Sequence, residues 1–250
     1  MSGHNRWSKI KHKKAAMGAS KGTLFTKVIK EITVAARMGG GDPNGNARLR
    51  SAILLAKEAN MPNDNITRAI KKGTGELEGV NYEEATYEGY GPNGVALIVQ
   101  CLTDNKNRTA GEVRFLFTRA GGTMGDTGSV GWMFERRGTI DVKPGPTEDQ
   151  VLEVALDAGA LDVITHSDGF EVRTEANDLH KVGQALEKKG LALGEQKVAF
   201  IPKEPVKVEE LEAAQKILKA VDLFEENDDV QIVFGNFEVD DKLVDQLSAD

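Results

Sequence analysis

Between Gly73 and Asn81 the chain reads GTGELEGVN, and on either side of this stretch the apolar residues follow different periods and the charge has opposite sign. No single repeating element spans such a switch, so the chain must fold as dissimilar modules joined there. Upstream, TLFTKVIKEITVAARM sets Leu24, Val28, Ile32 and Ala35 at helical spacing, widened by Phe25, Ile29 and Ala36, before Gly39 to Gly41 and Pro43 stop it. NARLRSAILLAKEANMP repeats the pattern through Leu49, Ile53, Leu54 and Ala56. NDNITRAIKKG gives a third, short helix through Ile66, Ala69 and Ile70, expected to end at Gly73. Three helices with short connections predict a small bundle. Its outer faces are expected to carry Lys27, Lys30, Arg37, Arg48, Arg50, Lys57, Arg68, Lys71 and Lys72.

Downstream, residues 82–104 read as two strands joined by a Gly/Pro/Asn turn, 108–120 as a helix, and 129–134 as a further strand. From Gly138 the order is strand (139–142), helix (148–158), two strands (162–165 and 170–173), helix (179–189) and strand (197–201), the β-α-β-β-α-β pattern of a ferredoxin-like unit. The tail offers one helix (208–224) and one strand (230–234), which cannot bury their apolar faces alone. They are therefore expected to complete the layer begun by residues 82–134. The fold class predicted is α+β with three domains. A basic helical domain spans 1–78, a discontinuous α+β domain 79–135 plus 206–250, and the ferredoxin-like domain 136–205 is inserted into it.

Charge sharpens this division. Residues 1–75 hold 15 Lys and Arg against 4 Asp and Glu, a balance of +11, whereas the remainder stands at −18. Surface charge is felt over about 8 Å at physiological salt, less than the roughly 13 Å radius of gyration of a 100-residue domain. The acidic lobes therefore cannot cancel the basic one. No run of about 18 apolar residues is present to span a membrane, and no apolar run follows the charged start to make a secretory signal. With the single Cys101, which excludes an intrachain disulfide and a cysteine zinc site, these features lead to the expectation of a cytoplasmic protein without a membrane partner.

The basic character is densest in GHNRWSKIKHKKAAMGASKG, where Arg6, Lys9, Lys11, Lys13, Lys14 and Lys21 occur without a carboxylate. Solvated helix faces mix signs within a turn or two, and this arm does not. Clustered cations with Trp7 and His12 interleaved suit phosphate neutralisation, with a ring available for stacking on a base; Trp7 can equally anchor the arm on the bundle. The predicted nucleic-acid contacts are Arg6, Trp7, Lys9, Lys11, His12, Lys13, Lys14, Lys21, Lys27 and Lys30. Arg108, Arg114 and Arg119 form a second set. The acidic lobes are expected to position the bundle or to meet a protein partner.

Other motifs point less far. Gly89, Gly91 and Gly94 spell G-x-G-x-x-G, but the strand VALIVQC follows where a dinucleotide site needs a helix, so a hairpin turn is expected. AGGTMGDTGSVG (120–131) has glycine enough to cradle a phosphate but lacks the Lys-Ser/Thr ending, which favours a helix C-cap and mobile loop. The four histidines are scattered, and no metal or cofactor is expected. The competing class is an enzyme acting on a nucleotide or phosphorylated substrate through Asp104, Arg108 and the 121–131 loop.

SGHNRWSKIKHKKAA, FTKVIKEI, AARMGGGDPNGNARLRSAI, RAIKKGTGE, YEGYGPNG, DNKNRTAGEVR and GGTMGDTGSV together resemble the YebC/PmpR family, and the similarity runs over essentially the whole chain. The resemblance implies an N-terminal helical domain and two α+β domains around a cleft. It also implies a factor in gene expression, and with the basic arm this leads to the expectation of a nucleic-acid-binding regulator that is not an enzyme. Family members are labelled probable DNA-binding transcriptional regulators, mitochondrial relatives are translational activators, and bacterial relatives are linked to the ribosome. The resemblance thus leaves DNA and RNA both open as the bound polymer. Gly18 and Thr23 depart from the acidic and basic residues usual in the family, which removes one phosphate contact from the arm.

Overall fold

In the computed structural model, which describes residues 21–166, 168–240 and 243, the stripe beginning at Leu24 becomes α1 (Lys21–Gly39). It packs against α2 (Ala47–Glu58) and α3 (Asn63–Thr74) through Val28, Ile32, Ala35, Leu49, Ala52, Ala56, Ile66 and Ala69. Ile32 and Leu49 are fully buried, and each such side chain contributes about 1.5–3 kcal/mol. Asn46 ties the first corner to both helices. Its Oδ1 accepts from the Leu49 N–H as the N-cap of α2, while its Nδ2 donates to the carbonyls of Ala35 and Gly40 at 2.8 and 2.9 Å.

The third helix does not end where the glycine suggested. Gly73 stays helical, and the left-handed residue that closes α3 is Gly75 at φ 84°. Gly73 is instead a contact position, since a Cβ there would stand 2.4 Å from the Thr33 carbonyl oxygen and 2.7 Å from Ala36.

The described chain divides into two units, one reaching to Met133 and resuming at Pro202, the other Phe134–Ile201. In the first, β1 (Glu83–Tyr90) and β2 (Ala96–Thr103) form an antiparallel hairpin with Glu83 opposite Thr103 and Tyr90 opposite Ala96. The G-x-G-x-x-G stretch is its turn, closed by Gly91 N–H to the Val95 carbonyl at 2.8 Å. Next come α4 (Lys106–Arg119) and β3 (Thr123–Met124). After the other unit the chain adds β8 (Val206–Val208), α7 (Leu211–Glu225), β9 (Val230–Gly235) and β10 (Phe237–Val239). Strand β9 lies antiparallel to β2, with Val99 opposite Val233, giving the order β3-β1-β2-β9. Helices α4 and α7 cover one face over Leu97, Val99, Val113, Ile217 and Val221, and Phe117 meets Phe224 edge to face at 4.7 Å. β8 and β10 pair in parallel as a separate two-stranded ribbon.

The strand expected at 129–134 is not formed. Residues Gly131–Met133 make a 3-10 turn, and β4 (Phe134–Val142) begins only after it. The second unit continues with α5 (Glu148–Ala158), β5 (Asp162–His166), β6 (Gly169–Glu175), α6 (Leu179–Lys188) and β7 (Leu193–Pro202). Its strand order β5-β6-β4-β7 is that of a ferredoxin-like sheet. Ile140, Val142, Val151, Ala155, Val172, Val182 and Leu186 form its core. Thr147 and Gln150 make a reciprocal capping box at the start of α5. The whole is α+β, an N-terminal helical region followed by two sheet-containing domains.

Candidate nucleic-acid interface

Lys27, Lys30, Val34 and Arg37 recur at helical spacing on α1 and form a face distinct from the one that fills the bundle. The pattern reads as a cationic solvent face, yet Lys30 is only 6% exposed. Its ammonium donates to the Asp229 carboxylate and to the Asp228 carbonyl, the latter at 3.0 Å, and lies 5.4 Å from the centre of the Tyr82 ring. Lys27 donates to the carbonyl of Glu225, the last residue of α7, where a cation meets the negative end of the helix dipole. Arg37 holds Asn81 and the Tyr82 carbonyl, while Arg48 pairs with Glu31 at 2.6 Å and Glu84 at 2.7 Å. The placement of Lys30 and Arg48 on open outer faces is thus corrected. Lys27, Lys30, Arg37 and Arg48 hold the bundle against the end of α7, the turn before β9 and the start of β1.

Asp229 is the centre of this docking. One oxygen takes Lys30; the other accepts from Arg108 at 2.9 Å and from the Thr109 hydroxyl at 2.6 Å, and Thr109 in turn contacts Thr103 at 2.6 Å. Burial alone would push the Asp229 carboxyl up, but the hydrogen bonds from Lys30, Thr109 and Arg108 outweigh it and hold it down to about 2. Sequence reasoning missed Asp229, because nothing local in ENDD marks one aspartate as the partner of a lysine 199 positions away.

Of the second predicted set, Arg108 is turned into the same network and also faces Asp104 at 2.7 Å and Glu112 at 3.7 Å. Arg114 and Arg119 lie exposed on α4 without an ion pair among the described residues. The bundle keeps four further cations open to solvent and unpaired among the described residues: Lys57 on α2 and Arg68, Lys71 and Lys72 on α3. The last three stand at i, i+3 and i+4, on one side of the helix. Arg6, Trp7, Lys9, Lys11, His12, Lys13 and Lys14 lie outside the described residues, as does the side chain of Lys21, whose backbone opens α1.

The glycine-rich loop has donors of the right kind, but they are occupied. The N–H groups of Gly128, Val130 and Gly131 converge on the Glu88 carboxylate at 2.9, 2.9 and 2.7 Å. Burial would raise this acid, and the backbone donors instead hold it below the ordinary carboxylate range. These donors are therefore taken by a carboxylate of the chain's own, which leaves them no room for a phosphate. Asp104 and Arg108 face each other, and burial pushes the Cys101 thiol up to about 12, so that it offers no nucleophile. The parts assigned to a nucleotide-processing enzyme are thus engaged in holding the fold. Among the described residues no three His, Cys, Asp or Glu side chains are grouped to hold a metal ion, and no helix is long and apolar enough to cross a membrane.

Comparison with known proteins gives concordant results. Residues 5–76 match the family model described as the TACO1/YebC protein N-terminal domain, and residues 82–237 match the TACO1/YebC second and third domain. A probable transcriptional regulatory protein of Myxococcus xanthus is 60% identical over 99% of both chains. One of the same description from Persephonella marina is 54% identical over 99% of this chain and all of its own. The crystal structure of a conserved hypothetical protein from Aquifex aeolicus superposes with a TM-score of 0.79 at 46% identity, covering 89% of this chain and 92% of that one.

Proposed function

The chain belongs to the TACO1/YebC family, and from that premise we propose that it is a regulator of gene expression that binds nucleic acid through its cationic N-terminal region and does so without catalysis. One observation carries this reading. The region of net +11 uses Lys27, Lys30, Arg37 and Arg48 to seat the bundle and still leaves Lys57, Arg68, Lys71 and Lys72 open to solvent. An arm that contains Arg6, Lys9, Lys11, Lys13 and Lys14 but no acid precedes them. In this reading residues 1–78 are the contact module. Residues 79–135 with 206–250 carry it, and the acidic lobes, this one and the 136–205 module, position the bundle or meet a protein partner in the cytoplasm.

The relatives' names favour transcription, and hence duplex DNA, as the first polymer to test. Each phosphate neutralised on B-DNA adds about 0.9 to the slope of log affinity against log salt. Titration of the full chain against labelled duplexes should give a steep slope, and alanine at Lys9, Lys11, Lys13 and Lys14 should flatten it by several units. Unchanged affinity in that variant would remove the arm from the interface. A large gap between one promoter sequence and random duplexes supports transcription. Equal affinity for all duplexes, with cosedimentation on ribosomes, assigns the protein to translation instead.

A further inference from the structure

Two residues on the outer face of α4 contribute nothing to the core. Phe115 is 62% exposed, and a Cβ added to Gly111 would meet no atom within 4 Å. Both residues are poorer helix formers than alanine. They stand four positions apart, so they share a face, and no atom of the Phe115 ring lies within 4 Å of the place a Cβ on Gly111 would take. The absence of a side chain at 111 leaves that side of the ring open. At about 100° per residue Arg114 falls on one flank of the ring and Arg119 on the other. Glu112 does not neutralise them, because its carboxylate accepts from the Asn227 amide at 2.9 Å and faces Arg108 at 3.7 Å. The Thr118 hydroxyl donates to the Arg114 carbonyl at 3.1 Å.

An open aromatic face between two guanidinium groups that have no ion pair among the described residues is the arrangement that takes a base on the ring and phosphates at its sides. We propose that this face of α4 binds an unpaired nucleotide strand, with one base stacked on Phe115 and the adjoining phosphates on Arg114 and Arg119. A duplex keeps its bases stacked on one another and presents no free ring face, so the site selects single-stranded or looped segments. The proposal rests on the reading of the chain as a nucleic-acid binder and adds the form of nucleic acid that this surface takes.

The test is fluorescence anisotropy of the full chain with labelled oligouridylate, labelled oligodeoxythymidylate and a duplex of equal charge. Phe115→Ala should weaken binding of the unpaired strands about 5- to 100-fold and leave duplex affinity within about twofold. Phe115→Trp should retain binding. Gly111→Leu, which puts a branched side chain on the same open helix face, should weaken it while thermal unfolding shows a helix at least as stable as before. A preference for one oligonucleotide identifies the strand as RNA or DNA. Wild-type binding that persists unchanged in both Phe115→Ala and Gly111→Leu overturns this site and leaves the N-terminal interface standing. A wild-type chain that binds neither strand nor duplex overturns both.

Discussion

Lys30 on the first helix and Asp229 just before the last long strand meet as a buried ion pair across 199 positions of sequence, their side chains 7% and 6% exposed. The pair joins the helical bundle to the sheet, and Asp229 also receives Arg108 and Thr109. Removing one partner of such a pair strands a buried charge. Asp229→Ala is therefore expected to destabilise the first unit by about 3–5 kcal/mol, read as a lower urea midpoint. A double-mutant cycle with Lys30→Met should return a coupling of at least about 0.5 kcal/mol. Additive single effects would mean that the two groups do not act as a pair.

The same carboxylate sets an acid limit. Its value lies near 2 in the folded chain against an ordinary 3.8. A depressed folded value means that the ionised form stabilises the fold fully above about pH 4, and that this contribution is lost as pH falls from about 4 toward 2. Wild-type urea midpoints should drop steeply through that window, and Asp229→Asn, already weaker at pH 7, should drop less. Parallel curves for the two proteins would assign the acid sensitivity to another group.

Glu88 makes a separate claim about the glycine-rich loop. With three backbone donors on one carboxylate, Glu88→Gln cannot satisfy them all, because one side of the amide is itself a donor. Hydrogen exchange at Gly128, Val130 and Gly131 should accelerate in this variant, with a stability loss of about 1–3 kcal/mol for the donors left bare. Exchange rates equal to wild type would show that something other than Glu88 orders the loop.

Two glycines in helices should respond to alanine with opposite signs. At Gly73 the new methyl would stand 2.4 Å from the Thr33 carbonyl oxygen, a backbone atom that cannot step aside, so α1 and α3 must separate. Overpacking of this kind costs about 1–3 kcal/mol. At Gly111 nothing lies within 4 Å and φ is not left-handed, so Gly111→Ala should stabilise by about 0.5–1 kcal/mol. Thermal melts of the two variants decide both points, and a shift in the same direction would contradict the packing described.

What the sequence could show depended on whether the deciding contact was local. The stripes of α1 to α3 and the strand-helix order of the second unit are periodic within a single element, and they read correctly except at Leu54, which faces solvent while Ala52 fills the core in its stead. Lys30 did not, because the face that carries it with Lys27 and Arg37 looks like any hydrated cationic surface until a sheet edge with Asp229 is laid against it. Val130, Trp132 and Phe134 alternate as a strand should. The chain turns up to Met133 and only Phe134 enters a strand, because Glu88 takes the Val130 and Gly131 amides that a neighbouring strand would have paired. Strands β3, β8 and β10 have two or three residues each, too few to show any period. On the candidate interface, the arm's composition was legible, whereas the division of the bundle's cations into docking and open sets required the fold.

That division yields a last expectation about salt. Arg68, Lys71 and Lys72 are exposed on α3 and have no carboxylate partner among the described residues, whereas Lys30 is buried against Asp229. Only charges open to solvent can release counterions from a polyanion. If α3 faces the nucleic acid, alanine at Arg68, Lys71 and Lys72 should lower the slope of log affinity against log salt by about 2–3 on duplex DNA, at roughly 0.9 per phosphate contact. Lys30→Met should leave the slope unchanged at temperatures where it remains folded, although it lowers stability. A slope that falls with Lys30→Met and stays fixed with the α3 triple variant would reverse the assignment and place the polymer on the opposite side of the bundle.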